Sequence, residues 1–192
     1  MDPLYLFVFA GLFTPGPNIV LITASGARFG LRRTIPHILG IVAGVGITSG
    51  LTGLGIGALL LARPGLTLAL KIVAVAWILW MAWKLLSASG RPRAEDKGRP
   101  FTFIEAALFQ WVNPKVWAVA LAAASGYSAG LAPGAEALRL ALAFSGIILI
   151  VCLFWTGTGS ALALLLETPR AWRNFLRLMA LALAGSAALV FL

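Results

Sequence analysis

The sequence predicts an all-α integral membrane protein of about six transmembrane helices, laid out as two inverted three-helix repeats with broken first and fourth helices. Three observations predict it. Of 192 residues, 60% are hydrophobic and 11% are charged, and the charges gather between long apolar runs. Two of those runs are interrupted by Pro/Asn motifs at matching places in the two halves. Lys and Arg also alternate between rich and poor from one connection to the next.

Uncharged stretches cover residues 3–27, 34–62, 116–135 and 140–166. A helix of roughly 20 apolar residues crosses ~30 Å of hydrocarbon, so each is long enough to span. Shorter candidates at 66–86, with Lys71 near its start, and 175–192 complete the set. The first run follows Asp2 directly and meets a proline break, which sets it apart from a cleaved signal peptide with its basic n-region and small-residue cleavage site. The second carries Gly40/Gly44, Gly46/Gly50 and Gly53/Gly57, three small-xxx-small pairs that let another backbone approach. They are expected to pack against the first or fifth helix, and the same face permits a homodimer seam. On the third, Trp77, Trp80 and Trp83 form one stripe ahead of Lys84, as an interfacial aromatic belt does.

Residues 87–100 are the only extended polar segment. They read as a cytoplasmic loop joining halves of about 1–86 and 101–192 within one membrane transport domain, 1–192. An odd number of helices per half makes the halves enter the membrane in opposite directions, an arrangement common in secondary transporters. Internal likeness is faint. Gly44, Gly55 and Gly57 recur 102 positions later as Gly146, Gly157 and Gly159, and Ser25-Gly26 recurs 100 positions later as Ser125-Gly126. The single Cys152 lies in an apolar run, excludes an internal disulfide and reads as a packing residue.

The net charge of +9 would point to nucleic acid in a soluble protein, but here it follows topology. The first, third and fifth connections hold eleven of the fifteen basic residues: Arg28, Arg32, Arg33, Lys84, Arg91, Arg93, Lys97, Arg99, Arg170, Arg173 and Arg177. Arg63, Lys71 and Arg139 lie on the other side, and Lys115 lies within the membrane. By the positive-inside rule the odd connections are cytoplasmic and both termini face outward.

The candidate binding residues sit at the two breaks: Thr14, Pro15, Gly16, Pro17 and Asn18 in the first run, Asn113, Pro114 and Lys115 in the fourth. Proline removes backbone donors, and backbone left unsatisfied survives at membrane depth only where it lines a cavity or packs against protein. Carbonyls from Gly11 to Thr14 are expected to be free to accept from an ammonium group. The restarted helix near Asn18 offers N–H groups and a positive dipole end to a carboxylate. In the second break Pro114 frees a carbonyl near Gln110, Asn113 is placed to cap the new helix, and Lys115 stands in its first turn. A cation there opposes the helix dipole and wants an anion. Glu105 lies about 15 Å away along one helix, which leaves a substrate carboxylate as the better partner.

These motifs also carry a family resemblance. Phe13-Thr14-Pro15-Gly16-Pro17-Asn18, followed by Ser25-Gly26, Gly30 and Gly40, resembles the amino-terminal signature of the LysE/RhtB amino-acid exporters. Residues Gln110-Trp111-Val112-Asn113-Pro114-Lys115-Val116-Trp117 resemble their second signature, and Trp77-Ile78-Leu79-Trp80-Met81-Ala82-Trp83-Lys84 is similar to the family's third-helix ending. The likeness covers nearly the whole chain in order. It implies a multi-pass protein of the bacterial inner membrane, exporting small amino acids or their derivatives on an ion gradient without a cofactor. Many members carry Asp where this chain has Asn18, so the most obvious titratable group of the first break is missing here.

Enzymatic constellations are absent from the sequence. His37 is the only histidine and reads as an interfacial residue, which excludes His-based dyads and multi-His metal sites, and there is no Gly-rich phosphate loop. The alternative function is export of a metal or other inorganic ion, but such cations want clustered Asp, Glu, His or Cys, which the helix interiors lack. An uncharged substrate side chain fits the lack of an unpaired acid.

Overall fold

Proline stands at the start of six of the seven helices among the described residues. Its fixed φ suits the first helical turn and its missing N–H costs nothing there. The structure, a computed structural model, describes residues 2–56, 62–87, 98–166 and 168–188. Gly57, most of the 87–100 loop with Arg91, Arg93 and Lys97, and residues 189–192 of the expected sixth helix lie outside the described residues.

The helices are α1 (Pro3–Phe13), α2 (Pro17–Gly53), α3 (Pro64–Ser87), α4 (Phe103–Trp111), α5 (Pro114–Gly126), α6 (Pro133–Leu165) and α7 (Pro169–Ala188). Asp2 caps α1 by accepting from Leu4 N at 3.0 Å, and Thr102 and Glu105 close a capping box on α4. Helices α2, α3 and α6 are each long and apolar enough to cross a membrane. Both expected breaks are present: residues 14–16 separate α1 from α2, and 112–113 separate α4 from α5.

The boundaries follow expectation only in part. Residues 28–33 were expected to connect two helices, and the connection is present but confined to one residue: the helical path continues on either side of Gly30 (φ 73°, ψ 170°), where two helices meet. The Ser25 and Thr34 hydroxyls lie 3.0 Å apart, whereas nine residues of straight helix span about 13 Å. The chain therefore folds back at Gly30, whose left-handed φ only glycine adopts cheaply. Secondly, the uncharged run 116–135 is not one helix: α5 ends at Gly126, and Gly130 (φ 69°) precedes the α6 start at Pro133. Thirdly, α6 begins seven residues before its expected start, since Glu136 and Arg139 pair with each other at 2.9 Å within its first turns and need not be excluded.

Helix α6 lies along α2, and small residues set the distance. A Cβ at Gly26 would overlap the Thr156 carbonyl, and one at Gly159 would overlap the Thr23 carbonyl. Ser160 Oγ donates to Gly26 O across the crossing at 3.0 Å. The glycine face of α2 divides its contacts. Gly40 and Gly44 meet α4 through Phe103, Ala106, Ala107 and Gln110, while Gly46, Gly50 and Gly53 meet α6 through Ser145, Ala141 and Ala137. The face was expected to meet the first or fifth helix: the expected fifth, α6 here, is one partner, and α4 rather than the first helix is the other. Of the glycines that recur 102 positions apart, Gly44 is packed on α4 while Gly146 faces open space, whereas Gly55 and Gly157 both face open space.

The main core joins α1, α2, α5 and α6 through residues such as Leu4, Val8, Ile41, Val116, Phe144 and Ile148. A second cluster packs Ile78 and Met81 of α3 and Leu183 of α7 on Val20, Leu21 and Phe109. Four hydroxyls inside the bundle return to their own helix: Thr23, Ser49, Thr52 and Thr156 each donate to the carbonyl four residues earlier, satisfying polar groups that lipid could not. Trp77, Trp80 and Trp83 are exposed on α3, with the Lys84 ammonium 4.0 Å from the Trp80 ring centroid.

Candidate substrate site

The two proline breaks meet. At the first, Thr14 ends α1 with extended backbone, and its hydroxyl donates to Gly11 O at 2.9 Å. Pro15 and Gly16 follow, and α2 restarts at Pro17 with no side-chain cap. At the second, Val112 ends α4, Asn113 takes the N-cap position and Pro114 opens α5. Lys115, in the first turn of α5, reaches back to α1, and its ammonium donates to Thr14 O and, at 2.8 Å, to Thr14 Oγ1. Gly16 clears the way, since a Cβ there would stand 2.9 Å from Lys115 Cδ.

Behind this contact lies a buried amide cluster. Asn18 Nδ2 donates to Gln110 Oε1 at 2.8 Å, and Gln110 Nε2 donates back to Asn18 Oδ1 at 3.1 Å. Gln110 Nε2 also reaches Ala106 O at 2.9 Å, and Asn113 Nδ2 reaches Gln110 Oε1 at 3.3 Å. All three amides are at least nine-tenths buried. Asn113 Oδ1 alone has no partner. Gly44 lets the cluster pack, because a Cβ there would fall 2.6 Å from Gln110 Cγ.

Several expectations change here. Two of the four first-break carbonyls are taken: Lys115 donates to that of Thr14 and the Thr14 hydroxyl to that of Gly11. The Gln110 carbonyl is not free either, because Asn113 N turns onto it at 3.3 Å. The Trp117 indole closes the Trp111 carbonyl at 3.0 Å. Asn113 sits at the cap position but its side chain makes no cap bond: Nδ2 is turned to Gln110, and Oδ1, the atom a cap would use, has no partner. Glu105 does pair away from Lys115: it forms a two-pronged bridge to Arg99 at 2.6 and 2.7 Å. His37, expected at an interface, is 3% exposed and lies against the Phe101 ring.

The family model for LysE type translocators matches residues 9–192. This chain belongs to the LysE translocator family. Its relatives include the cysteine/O-acetylserine efflux proteins of Salmonella paratyphi A and Escherichia coli K12. The first is 28% identical over 143 residues, 73% of this chain and 70% of the relative; the second is 28% identical over 144 residues, with the same coverage. The protein of that name from Klebsiella pneumoniae is 33% identical over 106 residues, 54% of this chain and 52% of the relative. No solved structure matches the chain. Membership and the long apolar helices make it a multi-pass membrane transport protein.

In this LysE translocator the structure brings together Thr14, Gly16, Asn18, Asn113 and Lys115, with Pro15 and Pro17 shaping one break and Pro114 the other. Two helix starts without side-chain caps and one ammonium group concentrate positive potential there, which suits a carboxylate. The Thr14 carbonyl and hydroxyl suit an ammonium. The side chain of Gln110 is the participant that sequence reasoning passed over. Its signal was available, for it is the chain's only glutamine and stands in an apolar run.

Proposed function

We propose that this protein exports a small amino acid or amino-acid derivative across the bacterial inner membrane, driven by an ion gradient. One observation carries the reading: the Lys115 ammonium of one broken helix is seated on the Thr14 acceptors of the other. The two breaks thereby form one polar locus within an apolar bundle, where a zwitterion finds partners for both of its charges. The carboxylate is held by Lys115 and the uncapped starts of α2 and α5, and the ammonium by Thr14. The substrate side chain is small and uncharged, as in the cysteine and O-acetylserine of the relatives' names.

Six spans are obtained by counting α1 with the first part of α2, and α4 with α5, as broken helices. The rest of α2, with α3, α6 and α7, supplies the other four. The halves are inverted about the breaks, the basic odd connections face the cytoplasm, and both termini face outward. Glycine contacts between α2 and α6 let the halves rock. The inorganic-ion alternative has no observation in its favour, and among the described residues no three His, Cys, Asp or Glu stand close enough to hold a metal ion.

The test is amino-acid release from cells fed dipeptides, comparing the protein with Lys115→Ala and with an empty vector. Faster accumulation of one or a few amino acids outside the cells, lost in the variant at equal protein level, is the expected result. Indifference across all twenty amino acids, cysteine and O-acetylserine included, would remove amino acids as the substrate class.

A further inference from the structure

Thr14 O is the acceptor that Asn18 N–H would take if the first helix ran unbroken. The break withdraws that donor, and an ammonium group has taken its place, donating both to the carbonyl and to Thr14 Oγ1 at 2.8 Å. The ammonium belongs to the protein itself. Lys115 crosses at Gly16, where a Cβ would stand 2.9 Å from its Cδ and 3.3 Å from its Nζ. Even alanine would crowd this path.

The arrangement leaves one account open. Lys115 is half-buried and faces only neutral acceptors. The ion pairs among the described residues join Arg99 to Glu105 and Arg139 to Asp2 and Glu136, and none includes Lys115. Asn113, two residues before it, keeps a buried carbonyl oxygen without a partner. A cation without an anion at membrane depth is costly.

We propose that Lys115 is a tethered stand-in for the substrate's ammonium group, so that the site accepts only ligands carrying an ammonium and a carboxylate together. This rests on the export reading and makes it specific. An arriving zwitterion places its own ammonium on Thr14, and the displaced Lys115 swings onto its carboxylate. One cation sits on Thr14 before and after, and one ion pair is gained. A primary amine offers the first half of the exchange and strands Lys115. A carboxylate without an amine draws Lys115 away and strands the Thr14 acceptors. Unpaired polar groups are what make a site reject near-isosteres. Thr14 is exposed in this structure, so discrimination of roughly 10- to 100-fold is expected, below that of a fully enclosed site.

The experiment measures dissociation constants for three probes on purified protein in lipid nanodiscs: L-cysteine, L-cysteine methyl ester, which lacks the carboxylate, and 3-mercaptopropionate, which lacks the amine. The intact protein should bind cysteine at least about tenfold more tightly than either analogue. In Lys115→Met the competitor is gone and the carboxylate has lost its partner, so the ester should bind more tightly than it does to the intact protein. The cysteine-to-ester ratio should then fall to about one. Lys115→Gln serves as a second neutral variant, and a thermal melt of each shows that it is folded. Ester affinity that does not rise in either folded variant, or a ratio that stays at its original value, overturns the stand-in while leaving the export reading intact. Cysteine that neither binds to nor is exported by the intact protein sinks both.

Discussion

Gln110 holds three things at once: Asn18 across the breaks, Asn113 beside it, and the Ala106 carbonyl of its own helix. Replacing it with leucine removes those bonds while keeping similar bulk, and leaves Asn18 buried without a partner. A stranded buried polar group costs ~1–3 kcal/mol. Gln110→Leu should therefore lower the thermal midpoint in detergent clearly below that of the intact protein, and an unchanged midpoint would show that the cluster carries no stability. At this scale the sequence is readable where the cause is local. Proline's missing N–H marks both breaks, and a lysine in an apolar run announces a need for partners. It is not readable where the partner lies far along the chain. Asn18 and Gln110 are 92 positions apart, and no spacing rule names one as the partner of the other. Equally, the open path over Gly16 becomes visible only once α5 is laid against the first break.

Elements obey their start signals more faithfully than their stop signals. Six helices open on proline, but the apolar run 116–135 conceals the end of α5, because composition alone does not say which glycine terminates a helix. The Gly26/Gly159 crossing sets the spacing between α2 and α6, and a branched side chain there meets backbone, which cannot move aside. Gly159→Val should cost ~1–3 kcal/mol or more through overpacking. By contrast, Gly146→Ala meets open space and should stabilise α6 by ~0.5–1 kcal/mol through helix propensity. Melting both variants side by side checks the assignment, and a reversed order would refute the crossing. At the start of α1, the Asp2 carboxyl is held below its ordinary value of 3.8, first by the hydrogen bond from Arg139 and then by that from Leu4 N–H. A carboxylate with a lowered folded-state value adds stability above its unfolded value, and that contribution disappears as pH falls through the folded one. Between about pH 5 and about pH 3 the intact protein should lose more of its thermal midpoint than Asp2→Asn does. Parallel losses would mean that the Asp2–Arg139 bridge does not tie α1 to α6.

At the scale of the whole molecule, the basic residues and the breaks make separable claims about topology and transport. In a Cys152→Ala background, single cysteines replacing Asp2 and Arg173 should label from opposite sides of the membrane, Asp2→Cys from outside and Arg173→Cys only after permeabilisation. Labelling of both from one side would break the even helix count. The all-helical class was legible because a membrane imposes it on any long apolar sequence, and family membership was legible because both Pro-containing motifs stand in order. The inward fold of Lys115 onto Thr14 was not, since it depends on how the two halves dock. The most direct measurement is flux of cysteine and O-acetylserine through protein reconstituted in liposomes under an imposed ion gradient, comparing the intact protein with Lys115→Ala. Flux by the intact protein that stops when the gradient is dissipated, and is absent from the variant, is the predicted result. Equal flux through Lys115→Ala would contradict the claim that the paired breaks are the transport site.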